Sequence, residues 1–110
     1  INALEGEKMD DKNIDHVCQK IIDKFSPEKI ILFSCKHSPS GRLSSFKLCI
    51  IVDGGDADMV EHDIYMVIDC DIPFDALVYN KSDFDKISLR SGSFAQRIVS
   101  EGSVLYEKQK

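Results

Sequence analysis

The run Lys-Ile-Ile-Leu-Phe over residues 29–33 sets the tightest limit on what this chain can fold into. Successive side chains of a strand point to opposite faces, so apolar residues at four consecutive positions need cover on both. A second run, Phe-Lys-Leu-Cys-Ile-Ile-Val over residues 46–52, ends at Asp53-Gly54-Gly55, a strong turn signal. With 110 residues there is material for one core and one domain.

Helical periodicity fills the remaining segments. Ile14, Val17, Cys18, Ile21, Ile22 and Phe25 fall on one stripe, with Asp10, Asp11 and Asn13 as cap candidates before it and Pro27 as its end. Residues 34–44 contain Pro39 and Gly41 and read as a loop. Val60, Ile64, Val67 and Ile68 define a second helix, and residues 74–79 a third strand. Ser82-Asp83-Phe84-Asp85 reads as a helix start of capping-box type. Ser93 caps a last helix that closes at Gly102 as its C′ residue, and residues 104–106 form a terminal strand. The order α-β-loop-β-α-β-α-α-β predicts an α/β (α+β) fold, a small mixed sheet with helices packed on it. The expected division is an extension over residues 1–9, with Met9 as a candidate start, a domain over 10–106 and a frayed tail over 107–110.

One stretch carries more than fold. Phe33-Ser34-Cys35, followed after the loop by Ser44-Ser45-Phe46-Lys47-Leu48 and an apolar strand, resembles the signature of minimal nucleotidyltransferases, of the polymerase-beta-like nucleotidyltransferase superfamily. That signature is a Gly-Ser pair after a strand, then Ser-Asp-x-Asp-Leu opening the next. The flanking residues match in register and the chemical ones do not. Ser34 stands at the glycine, Cys35 at the serine, Ser45 at the first aspartate and Lys47 at the second. The third carboxylate aligns with Asp75. The element order extends the resemblance over residues 10–106, and its motif-grade part covers 33–52 and 74–79.

The family's aspartates sit two apart because such residues share one face of a strand, where with a third acid they hold two divalent ions against the phosphates. Here only Asp75 remains as a metal ligand. One carboxylate does not hold a two-metal site, since Mg²⁺ requires several oxygen donors. An ammonium at 4 Å repels a cation by roughly 4 kcal/mol at moderate dielectric. The resemblance therefore implies a scaffold that has lost metal-dependent transfer, with Lys47 pairing with Asp75. That pair either offers a positive pocket for a phosphate or is a plain cross-strand ion pair. Ser34, Cys35, Lys36 and Arg42 are the candidate nucleotide-binding residues, although a Cβ at Ser34 and a weak donor at Cys35 oppose close approach of a phosphate. Lys36 and Arg42 also fit ordinary solvated loop charges.

The resemblance further implies a helical partner of the HEPN type, an antitoxin-like role and oligomers such as a homodimer. No cofactor is expected, and Mg²⁺ and ATP enter only if the chain is active. An active enzyme would need Asp53, Asp69 or Asp71 as replacement ligands, and Asp53 lies about 26 Å along the strand from Ser45. Binding a nucleotide without metal is the third reading. A net charge of −5 argues against nucleic acid as partner, and no apolar run reaches the length of a membrane span. Cys18, Cys35, Cys49 and Cys70 contain no CxxC pair, which fits reduced thiols in a cytoplasmic protein better than zinc, for which Cys35-x-His37 is the one close pair. Asp69-x-Asp71 has a metal-like spacing in an acidic loop. Asp53-Gly54-Gly55-Asp56-x-Asp58 superficially matches a calcium loop and lacks its glutamate. His16 and His62 read as surface residues.

Overall fold

A computed structural model describes residues 12–109. The cap candidates Asp10 and Asp11, the 1–9 extension and Met9 lie outside these residues. The described chain runs α1 (Lys12–Phe25), β1 (Lys29–His37), β2 (Leu43–Val52), α2 (Ala57–Val67), β3 (Phe74–Asn80), α3 (Lys81–Ser88), α4 (Phe94–Glu101) and β4 (Ser103–Glu107). This is the expected α/β order, folded into one four-stranded mixed sheet with spatial order β3-β2-β1-β4. β1 is antiparallel to both β2 and β4, while β2 and β3 are parallel and joined by the crossover helix α2.

Two cores lie on opposite faces of the sheet, as the run over residues 29–33 requires. On one face α1 and α2 bury Ile14, Val17, Ile21 and Ile64 against Ile30, Phe46, Leu48, Ile50 and Val52. On the other, Phe84 of α3 and Ala95 and Ile98 of α4 pack on Ile31, Cys49 and Ile51. α1 stops where Ser26 takes a left-handed backbone (φ 47°) ahead of the buried Pro27, and its N–H donates to Ile22 O at 3.1 Å.

Several boundaries differ from expectation, each for a physical reason. β1 continues to His37 and β2 begins at Leu43, so residues 34–44 are mostly paired strand. Pro39 and Gly41 mark only the hairpin tip, where Ser38 N–H donates to Arg42 O and Gly41 N–H to Ser38 O. Val67 is half-exposed because α2 ends there and Ile68, in extended backbone, takes the buried place. α3 starts one residue early, at Lys81, and Asn80 holds its cap position without a side-chain cap bond. Ser93 does cap α4, its hydroxyl accepting from Gln96 N–H at 3.0 Å. Gly102 follows α4 with φ −81° in extended backbone; it is needed for space rather than for a left-handed turn. A Cβ there would lie 2.5 Å from Ile31 Cγ2 and 2.6 Å from Ile98 O. Glu107, placed in the tail by sequence, belongs to β4, and Lys108 N–H donates to Glu28 O at 2.9 Å. No helix among the described residues is long and apolar enough to cross a membrane.

Candidate functional site

Ser34, Lys36, Ser45 and Lys47 lie at the end of the sheet nearest the β1–β2 hairpin, on the face that carries α3 and α4, while Cys35 pairs with Phe46 on the other face. The two helices cover Cys49 and Ile51 but not the start of β2. There Ser45 and Lys47 are half-buried on the same face, and Phe46 between them points into the opposite core.

Register fixes the neighbours of Lys47. On one side it pairs with Ser34 of β1, on the other with Asp75 of β3. One step toward the hairpin, Ser45 pairs with Lys36. A hydroxyl, an ammonium and a carboxylate thus form a row across three strands, with a second lysine and hydroxyl beside it. The bulge between Leu32 and Ser34 sets two β1 residues, Phe33 and Ser34, against the single Lys47. Phe33 then meets Phe94 of α4 edge-to-face, with ring centroids 5.5 Å apart. This aromatic pair marks the border between the covered and the open parts of the face.

Two expectations need correction here. Ser34, Cys35 and Lys36 do not stand in a phosphate-facing loop. They are ladder residues of β1, paired with Lys47, Phe46 and Ser45. The amide cradle that a Gly-Ser loop offers an anion has no counterpart in that geometry. In addition, Lys47 and Asp75 are opposite in register without closing an ion pair. Salt bridges of the described residues include Lys29–Glu107 at 3.5 Å and Lys81–Asp85 at 3.3 Å, both away from this row. Asp75 is exposed at the sheet edge, where water solvates it well. Arg42 is exposed at the hairpin tip, set apart from the row.

The remaining candidates have plainer roles. Asp56 is the N-cap of α2, its carboxylate accepting from Asp58 N–H at 3.0 Å and Met59 N–H at 3.3 Å. Asp69 and Asp71 line a cleft of about 390 Å³ with Asn13, His16 and Cys70, and His16 Nε2 lies 3.1 Å from Asp69 O. Among the described residues no three His, Cys, Asp or Glu side chains converge as a metal site would require. Cys49 is fully buried, and desolvation pushes its thiol up to about 12, far from a reactive thiolate. Tyr79 is also raised, first by burial and then by Cys49 and Glu61.

Sequence reasoning missed how the β3 edge is closed. Tyr65 of α2 lays its hydroxyl on Ala76, accepting from its N–H at 2.7 Å, and Glu61 accepts from Val78 N–H at 3.1 Å. Tyr65 also stacks on Phe74, which stacks on Phe46, at 5.9 and 5.6 Å. The spacing of Glu61 and Tyr65, four apart on one helix face, was the available signal. Also missed was a cleft of about 350 Å³ between α2 and α3, lined in part by Asp58, Tyr79, Lys86 and Arg90. Comparison with protein-family models, with curated proteins and with solved structures finds no match for this chain.

Proposed function

We propose that this chain is a binding and interaction domain on a nucleotidyltransferase-like scaffold that does not carry out metal-dependent nucleotidyl transfer. The observation that carries the reading is the row Ser34–Lys47–Asp75. An ammonium stands at its centre, where paired acids would have to grip magnesium, and the single acid is solvent-exposed. The element order and the lateral register of Lys47 with Asp75 support the same reading.

In this reading the surface contacts another protein, in the manner of an antitoxin-like component with a helical partner of the HEPN type. Met59 and Met66, exposed on α2, offer adaptable apolar contact for such a helix. A second reading, nucleotide binding without metal, has its own support. Lys36 and Lys47 share the open face with Ser34 and Ser45, beside the half-exposed ring of Phe94.

Thermal melting with ATP alone and with ATP plus Mg²⁺ separates the alternatives. The interaction domain shows no shift in either condition. A shift with ATP alone establishes the nucleotide binder, and the variant K47A then reduces it. Stabilisation that requires Mg²⁺, of about 2.7 kcal/mol at a hundredfold excess over Kd, would overturn the loss of metal chemistry.

A further inference from the structure

The two edges of the sheet are not equivalent. β3 is sealed by Tyr65 and Glu61 of α2, which occupy the Ala76 and Val78 amides. Among the described residues β4 has no such cover. No described strand lies beyond it, and Val104 and Leu105 are 55% and 41% exposed at the middle of a five-residue edge strand. Bare, apolar edge strands are where sheets add another strand.

We infer that β4 pairs antiparallel with β4 of a second copy of this chain, about a two-fold axis beside Leu105, joining two four-stranded sheets into one. Leu105 is the middle residue of β4 and stands at its bulge against β1, between the Tyr106–Ile30 and Val104–Ile31 pairs, so the axis leaves two strand residues on either side of that bulge. The flank of α1 above this edge argues for a second copy over any other strand. Leu105 shares a groove of about 640 Å³ with Lys12, Asp15 and Gln19 of α1. Lys12, Gln19 and Asp23 lie on one stripe of that helix, with a cation near its start and an anion near its end, and Gln19 Nε2 donates to Asp23 Oδ1 at 3.0 Å. A two-fold axis turns the neighbouring α1 end for end. Lys12 then meets Asp23 of the second copy, and the same contact recurs on the other side of the axis. The stripe is complementary to its own reversed copy. The edge lies on the far side of β1 from the Lys47–Asp75 row, so self-pairing stands whether or not the polar row binds anything.

Sedimentation equilibrium of the full chain over a wide concentration range tests this. The expected result is a reversible dimer. L105K weakens it about tenfold or more by setting two ammonium groups beside the axis. K12D and D23K each weaken it, and K12D/D23K together restore it, because the reversed pair is complementary again. Hydrogen exchange on the unmodified chain gives a readout independent of variant folding: the β4 amides gain protection as concentration rises. A chain that stays monomeric throughout overturns the inference, including one that takes up a foreign strand-forming peptide instead. So does a dimer indifferent to L105K with unchanged exchange at β4.

Discussion

The two halves of β2 are built on different plans. From Leu48 to Val52 every residue is buried, because α1 and α2 cover one face and α3 and α4 the other. From Leu43 to Lys47 only Leu43 and Phe46 are buried, and the side chains on the α3–α4 face are Ser45 and Lys47. The same strand is therefore core at one end and surface at the other. The change falls where the Phe33–Phe94 pair ends the helical cover. Where cover is complete, composition is set by packing. Where it stops, polar groups gain register without being buried, and the chain has room for recognition.

Neighbouring substitutions across that boundary break or sharpen the contrast. F46A removes a fully buried ring stacked on Phe74 and should cost about 3–5 kcal/mol in urea unfolding. K47A, one residue on, should change stability by less than about 0.5 kcal/mol, since Lys47 is half-buried without an ion pair to Asp75. Comparable losses from both would mean that the open half carries load the geometry does not show.

The covered half also has a pH signature. The folded state holds the Cys49 thiol neutral up to about 12, against a reference value of 9.0. The sign follows from linkage: above pH 9 the unfolded chain gives up this proton first, so stability falls as pH rises from 9 toward 12. The loss is of order a few kcal/mol, and the raised Tyr79 adds to it in the same direction. C49A should flatten the slope between pH 9 and 11 in chemical denaturation; an unchanged slope would assign the loss elsewhere. Smaller than the thiol effect, though larger than that of K47A, is the effect of Y65F. This substitution leaves the Ala76 N–H without its acceptor at the sealed edge, costs about 1–2 kcal/mol, and speeds exchange of that amide.

Much of the fold was legible because its signals are local. The stripe from Ile14 to Phe25, the turn at Asp53-Gly54-Gly55 and the Ser93 cap each depend on a few adjacent residues, and the element order follows from them. The polar stretch over residues 34–37 reads as loop in the sequence for the opposite reason. Its strand is held by pairing with β2, and its polarity reflects the missing cover of a distant helix. Neither fact is written in the stretch itself. At the site, the lateral match of Lys47 with Asp75 was foreseeable from strand register. The absence of an ion pair between them was not, because it depends on how solvent reaches an exposed edge carboxylate.

The pairing of β1 with β4 joins residues far apart along the described chain, with Lys29, just after α1, set against Glu107 near its end. A chain emerging during synthesis completes β1, β2 and β3 long before β4 exists. In that interval Ile30 and Ile31 line an unpaired flank, and final closure waits on a slow, long-range search. The last pairing to form is the one that closes the β1 flank, and anything that delays it lengthens the time those two isoleucines stand uncovered.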